Sequence, residues 1–147
     1  MDDRSPQNLS LPAELRGRIE ELGAKRAVSR GEFFFRQGDE PIGVFLLASG
    51  IARLSLEDDS GKPMPVRVLG PGCILGLPSA ICDSPFSLSA QAVEDAEVTF
   101  VPRENILRLM RTSPDLSMRL LEVLSQELRE MSQLIAQRAP GRSRLNS

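Results

Sequence analysis

The spacing of hydrophobic residues along this chain changes twice, and each change predicts a different kind of element. Near the start, Leu15, Ile19 and Leu22 recur at helical spacing, and Gly23 follows them as a C-terminal stop. Residues 12–22 are therefore predicted to form a short amphipathic helix.

Between residues 25 and 101 the pattern becomes a series of short apolar runs separated by turns rich in glycine, aspartate and serine. Two of the runs alternate between apolar and polar residues, as strands with one buried face do. Their length and spacing predict a small antiparallel β-sandwich or barrel, so the fold class is α+β and mainly β. The apolar positions of the alternating runs are Ala52, Leu54 and Leu56, and then Met64, Val66 and Val68.

The last part of the chain, about residues 102–138, returns to helical spacing. A long helix is predicted to begin at Pro114, with Ser113 as its N-cap. It carries two apolar stripes, and one has the 3-4-3-4 spacing of a coiled-coil seam. We predict that this seam joins two copies of the chain in a homodimer, while the alternative is one broad stripe that faces the barrel. The predicted seam is Leu121, Leu124, Leu128, Met131 and Ile135, and the second stripe is Leu116, Leu120 and Val123.

The ends of the chain and its composition favour one domain over residues 11–138. The hydrophobic share of 41% and the charged share of 26% are typical of globular proteins. Residues 1–10 are predicted to be a flexible N-terminus. Residues 139–147 are predicted to be a disordered tail or a truncated linker, because Pro140 and Gly141 interrupt the helical pattern.

Charge and hydropathy exclude two classes of partner for the chain by itself. The net charge of −2 gives no long-range attraction to nucleic acid. No apolar run approaches the roughly 20 residues that a membrane-spanning helix needs, and the acidic start lacks a secretory signal. A cytoplasmic location without membrane association is therefore predicted.

The residues available for chemistry argue against an enzyme. The chain has no histidine, which removes the imidazole ligands of barrel metal sites and the base of most hydrolytic triads. We predict no catalytic residues, no metal and no cofactor. Two acidic clusters, at residues 57–59 and 94–95, fall in predicted turns and are interpreted as turn residues. Cys73 and Cys82 are interpreted as small hydrophobic residues, with a redox pair as the open alternative.

Three segments, at residues 31–39, 44–54 and 69–76, occur in an order and spacing that resemble the cyclic nucleotide-binding domain of the Crp/Fnr regulators. The resemblance runs from about Leu11 to Gln137. It implies a double-stranded β-helix (jelly-roll) barrel with a short N-terminal helix and a long C-terminal dimerisation helix. In full regulators of this kind a helix-turn-helix domain follows, so DNA binding is expected only if such a domain follows in a longer chain.

The resemblance also places the effector site, and there the sequence departs from the family. The family holds the ribose with a Gly-Glu segment and the cyclic phosphate with an Arg-Ser/Thr-Ala segment. The glutamate position falls on Leu77 and the arginine position on Phe86, while Ser87 keeps the small hydroxyl residue. Pro78 also removes one backbone N–H from the short helix that would face the phosphate. The candidate pocket residues are Gly76, Leu77, Pro78, Ser79, Ala80, Phe86, Ser87 and Leu88, with Met131 and Ser132 as candidate contacts from the long helix.

The apolar residues Leu77, Phe86 and Leu88, together with Ile81, either fill the former pocket or line an apolar one. We therefore predict a non-enzymatic sensor domain of the Crp/Fnr kind that does not bind cAMP or cGMP usefully, and whose effector is open. The alternative is a stand-alone dimerisation or protein-interaction module that has lost ligand sensing.

Overall fold

A computed structural model describes residues 11–137, and the predicted N-terminus (1–10) and tail (139–147) lie outside the described residues. Eight strands and four helices are present within the described part. In chain order they are α1 (Ala13–Glu20), β1 (Ala24–Val28), β2 (Phe33–Phe35), β3 (Gly43–Ser49), β4 (Ala52–Glu57), β5 (Pro63–Leu69), β6 (Ile74–Leu75), α2 (Leu77–Cys82), β7 (Ser89–Ala92), β8 (Ala96–Pro102), α3 (Arg103–Thr112) and α4 (Pro114–Gln137).

The strands form two four-stranded antiparallel sheets. One sheet has the order β1-β8-β3-β6 and the other the order β2-β7-β4-β5. Residues of both sheets meet in one apolar cluster, so the sheets face each other across a shared core. The predicted mainly β architecture, with a short helix before it and a long helix after it, is confirmed.

Strand β3 is buried on both faces, which explains its unbroken apolar run. Because side chains alternate along a strand, Phe45 and Leu47 enter the core between the sheets, while Val44 and Leu46 pack on the opposite side. That second cluster also takes residues from all four helices. The helices are therefore held against the outside of the barrel by apolar packing.

The predicted alternation holds at Ala52 and Leu54 in β4, but it fails at Leu56 and is wrong in phase along β5. Leu56 is 40% exposed and Met64 is 52% exposed, whereas Arg67 is only 5% exposed. The register explains the error in β5. The register shifts between Leu54 and Ser55, where β5 contains Val66 as an extra residue, and this bulge reverses the alternation of β5 beyond it. In β5, Arg67 pairs with Leu54 and therefore shares its inward face.

The acidic cluster at residues 57–59 lies at the hairpin between β4 and β5, as predicted. Asp58 accepts hydrogen bonds from the backbone N–H of Ser60 (2.9 Å) and of Lys62 (2.9 Å), and from the Ser60 hydroxyl (2.6 Å). The bond from the Ser60 hydroxyl is the main reason that the pKa of Asp58 is lowered. Asp58 thus serves the turn.

Within residues 11–137 no helix has the length and apolar character to cross a membrane.

Candidate functional site

Phe86, which the sequence analysis predicts to stand at the family's arginine position, is part of the barrel core. Phe86 is 3% exposed, and its ring stacks on that of Phe35 with the ring centroids 3.9 Å apart. The backbone is fixed on both sides, since Phe86 N donates to the Asp39 carbonyl (3.0 Å) and Gly38 N donates to the Phe86 carbonyl (2.8 Å). The side chain therefore acts as core packing between the two sheets.

The turn before α2 is shaped around that ring. Gly76 has a φ of +87°, and a Cβ at this position would lie 2.9 Å from Cε1 of Phe86. Leu77, which is predicted to stand at the family's glutamate position, is fully buried in the cluster between barrel and helices. Pro78 follows at the start of α2 and has no N–H to donate. The beginning of α2 thus offers neither a carboxylate nor a full set of amides.

A cavity of about 430 Å³ lies between the barrel and α4. Its size falls within the range of roughly 300–1,000 Å³ that is usual for small-molecule sites. Its wall is mostly apolar, and it contains two charged residues. The lining residues are Phe35, Leu54, Arg67, Pro78, Ser79, Ser87, Leu88, Leu124, Glu127, Leu128 and Met131.

The structure divides the predicted pocket residues into two groups. Those that line the cavity are Pro78, Ser79, Ser87, Leu88 and Met131. The others do not line it: Leu77, Ala80 and Phe86 are buried in the core clusters, Gly76 forms the turn described above, and Ser132 is exposed on α4. Ile81 is 37% exposed on α2 and also lies outside the cavity wall.

Arg67 and Glu127 are the charged cavity residues that the sequence analysis did not identify. The side chain of Arg67 is 1% exposed, and its Nη2 donates to Oε1 of Glu130 at 2.7 Å. Its Nη1 donates to the backbone carbonyl of Glu127 at 3.3 Å. Its Nε is buried without a hydrogen-bond partner among the described residues. A buried arginine must be compensated, so these bonds join β5 of the barrel to α4.

Glu127 is the second charged group of the cavity. Burial raises its pKa from 4.5 to about 7, the positive charge of Arg67 opposes that rise, and the negative charge of Glu130 adds to it. Glu127 therefore changes its charge near neutral pH. With Arg67 paired to Glu130, the three groups together carry a charge of zero or −1, depending on the proton of Glu127.

Three residues of the predicted dimer seam lie on the outward face of α4. Leu121, Leu128 and Ile135 are 56%, 69% and 58% exposed, and Met118, at 57%, extends the same face. Leu124 lies beside this stripe, on the cavity wall with Met131. The predicted seam is thus split between an exposed apolar stripe and the edge of the cavity, and Leu128 belongs to both.

The two cysteines differ in their surroundings. Cys73 is 1% exposed in the barrel core, and Cys82 is exposed at the end of α2. No disulfide joins these two described residues. Within residues 11–137, no group of three or more acidic or cysteine side chains is arranged to hold a metal ion.

Residues 25–113 match a family model described as the cyclic nucleotide-binding domain. The Cyclic AMP receptor protein of Thermus thermophilus is 36% identical over 106 residues, which cover 72% of this chain and 49% of that protein. The transcriptional activator protein Anr of Pseudomonas aeruginosa is 31% identical over 128 residues, which cover 86% of this chain and 52% of that protein. The chain spans about half the length of the curated relatives it matches.

Solved structures agree with the architecture described above. The Thermus thermophilus catabolite activator protein superimposes with a TM-score of 0.74 at 32% identity, covering 86% of this chain and 59% of that one. A cyclic nucleotide-binding domain from Methylobacillus flagellatus gives a TM-score of 0.76 at 21% identity, over 89% of this chain and 76% of that one, which shows a shared fold. The jelly-roll barrel expected from the sequence is confirmed.

Proposed function

The chain belongs to the cyclic nucleotide-binding domain family, as a regulatory domain of the Crp/Fnr type, and we propose that it is a non-enzymatic effector domain whose cyclic-nucleotide contacts are degenerate. The observation that carries the proposal is Phe86, whose ring is packed into the core at the position where the family places the arginine that binds phosphate. Leu77 supports it in the same way at the ribose position.

Electrostatics supports the same proposal. A cyclic phosphate needs a net positive site, but the cationic group of the cavity, Arg67, is already paired with Glu130 and lies beside Glu127. A phosphate without its guanidinium forfeits an interaction of roughly 1.5–3 kcal/mol, or about 3–5 kcal/mol when the buried anion stays unpaired. That range corresponds to a loss of about tenfold to several thousandfold in affinity.

The exposed stripe of α4 supports a homodimer as the working form. Four large apolar side chains, Met118, Leu121, Leu128 and Ile135, lie on one face of a 24-residue helix and are each more than half exposed. An apolar stripe of this kind on a long helix is typical of a helix that packs against a second copy. DNA binding is proposed only for a longer chain that adds a helix-turn-helix domain, and the cytoplasmic location stays a prediction.

The alternative function, a dimerisation or protein-interaction module without a ligand, has support of its own. Phe86 and Leu77 fill positions that an effector would need. The open cavity beside α4 favours the sensor, because a ligand there would touch both the barrel and the helix. Such a ligand would favour one arrangement of α4 over another, as an effector must.

A thermal-shift panel separates these functions. The full chain would be heated with cyclic mononucleotides, cyclic dinucleotides and uncharged apolar metabolites. The proposed sensor predicts no shift with cAMP or cGMP and a concentration-dependent rise in melting temperature with at least one other compound. No shift with any compound would favour the interaction module, and a shift with micromolar cAMP would contradict the degenerate contacts.

A further inference from the structure

Glu127 is the residue of the cavity whose charge has no partner. Arg67 makes a hydrogen bond only to its backbone, from Nη1 to the Glu127 carbonyl at 3.3 Å, while Nη2 of Arg67 donates to Oε1 of Glu130 at 2.7 Å. The carboxylate of Glu127 accepts no hydrogen bond and forms no ion pair among residues 11–137. Glu130 therefore balances the positive charge of Arg67, and the negative charge of Glu127 is left over.

Helical spacing places the side chain of Glu127 on the cavity side of α4. Residues at i, i+3, i+4 and i+7 share one face of a helix. The residues of α4 that line the cavity have this spacing, and they are Leu124, Glu127, Leu128 and Met131. Neither carboxylate oxygen of Glu127 is fully buried, since within the described part Nε of Arg67 is the only buried side-chain polar atom without a partner. The carboxylate is therefore accessible on the side of the helix that faces the cavity.

The sign of the leftover charge decides which head group fits. The charged groups that face Glu127 are Arg67 from β5 and Glu130 from α4, and the three groups carry a net charge of −1 when Glu127 is ionised. A carboxylate or phosphate would add a second negative charge, and an uncharged head group would leave the first unmatched. A protonated amine balances the charge, and its N–H groups donate to the carboxylate.

The remaining wall decides the rest of the ligand. Leu54 and Leu88 from the barrel, and Leu124 and Met131 from α4, present apolar side chains to the same space. A volume of about 430 Å³ is sufficient for a small organic molecule. Apolar surface on the ligand would be removed from water on both sides, which is the main source of affinity in such sites.

We propose that this cavity binds a small organic cation, a primary amine with an apolar body, whose ammonium group pairs with the carboxylate of Glu127 while the apolar body packs between Leu88 and Leu124. The inference rests on the proposed function, since it takes the cavity as the effector site. It makes Glu127 the residue that selects the ligand by charge. Because Leu88 is on the barrel and Leu124 on α4, the ligand also bridges the two parts that Arg67 already joins.

The test compares three probes with one apolar chain and different head groups: octylamine, octanamide and octanoate. Each is titrated calorimetrically into the full chain at pH 8, where Glu127 is mostly ionised and the head groups are positive, neutral and negative. Octylamine is expected to bind at least about tenfold more tightly than octanamide, the difference that one charge-assisted hydrogen bond gives, and octanoate is expected to bind most weakly. Equal or tighter binding of octanamide or octanoate would overturn the proposed ligand class, and so would the absence of octylamine binding.

Variants locate the site. Glu127→Gln keeps the shape of the side chain and removes its charge, so it is expected to weaken octylamine binding about tenfold and to leave octanamide binding unchanged. Glu122→Gln is the matched control, because Glu122 is exposed on the same helix and does not line the cavity. Leu124→Trp, which places a larger side chain in the cavity, is expected to abolish binding while the circular dichroism spectrum stays that of the folded protein. Unchanged octylamine affinity in Glu127→Gln would overturn the proposal, including the case in which Leu124→Trp fails to fold.

The pH dependence of binding is a second readout of the same contact. Burial raises the pKa of Glu127 to about 7, and the ammonium group pairs with the ionised form, so octylamine affinity should rise as pH increases through about 7. The amine stays protonated in this range, because alkylamines titrate near pH 10, as lysine does. Between pH 6 and pH 8 the affinity of the wild type is expected to increase about tenfold, which is the change in the ionised fraction of Glu127. A constant affinity in the wild type, or the same increase in Glu127→Gln, would overturn the pairing.

These outcomes are separate from those of the proposed function. If octylamine fails to bind but another compound stabilises the protein in the thermal-shift panel, the effector domain stands and the ligand class is wrong. If cAMP binds and competes with octylamine, both the degenerate cyclic-nucleotide contacts and the charge argument for the cavity are wrong.

Discussion

Replacing Phe86 by alanine tests whether the former phosphate position has become core. The side chain is 3% exposed and its ring lies 3.9 Å, centroid to centroid, from that of Phe35. Truncation of a buried phenylalanine costs about 3–5 kcal/mol, which includes the cavity that remains. We expect Phe86→Ala to lower the free energy of unfolding by about 3–4 kcal/mol, because the ring is enclosed and stacked.

The matched control is Phe33→Ala on strand β2. Phe33 is 36% exposed and carries Arg36 over its ring, with the guanidinium carbon 4.3 Å from the ring centroid. It has less area to lose to solvent, so a cost of about 1 kcal/mol is expected. A double-mutant cycle of Phe86 with Phe35→Leu should give a coupling of about 0.5–1.5 kcal/mol for the stacked pair.

The assay is urea unfolding followed by far-UV circular dichroism, since the chain has no tryptophan or tyrosine for fluorescence. All variants are compared at one protein concentration, because the proposed dimerisation would couple stability to concentration. An unchanged m-value would assign the effect to stability. A loss below about 1 kcal/mol in Phe86→Ala would refute the argument, because a side chain that packs little has room to contact a ligand.

Two further predictions concern α4. Burial raises the pKa of Glu127 from 4.5 to about 7, with Arg67 and Glu130 facing it, so its protonated form stabilises the fold at low pH and that contribution is lost as pH rises through about 7. Glu127→Gln should abolish this pH-dependent loss of stability, which is expected to be about 1–3 kcal/mol in urea titrations between pH 5 and 8. The exposed control Glu122→Gln should retain the loss. Equal stability profiles for wild type and Glu127→Gln would contradict the assignment. Leu128→Lys is expected to give folded monomers in sedimentation velocity. Ile42→Lys, which changes an exposed residue of the barrel, is the control and is expected to leave the proposed dimer intact. A Leu128→Lys protein that remains dimeric, or that unfolds, would contradict the predicted seam.

The limits of sequence reasoning are clearest at Arg67. The side chains of residues 66–69 alternate between the two faces of β5, so either Val66 and Val68 or Arg67 and Leu69 must face the core. Because two valines are more apolar than an arginine and a leucine, the sequence favoured the valines. Only the pairing of Arg67 with Leu54 across the hairpin fixes the opposite phase, and a pairing partner is not local information. Counting pairs back from the turn at Gly61 would have paired Leu54 with Val66, because the bulge that shifts the register to Arg67 has no signal in the sequence.

Helical spacing, by contrast, was a sufficient guide to α1, α3 and α4, whereas α2 was expected only from the family resemblance. The start of α4 at Pro114 follows from local rules for helix N-termini. Its two stripes were visible in the sequence, but which residues belong to which surface depends on where the helix docks. Leu124 and Leu128 are consecutive residues of the predicted seam, yet Leu124 is half-buried at the cavity and Leu128 is 69% exposed. The docking angle is set by the Arg67 contacts and by Leu116 and Leu120 in the core, which no periodicity encodes.

The central claim, that apolar packing has replaced the cyclic-nucleotide contacts, is tested most directly by isothermal titration of cAMP into the full chain. With the protein at tens of micromolar, we predict no saturable heat, because Phe86 and Leu77 are buried and the family resemblance assigns them to the phosphate and ribose contacts. Saturable one-to-one binding of cAMP with a micromolar or lower dissociation constant would contradict the claim.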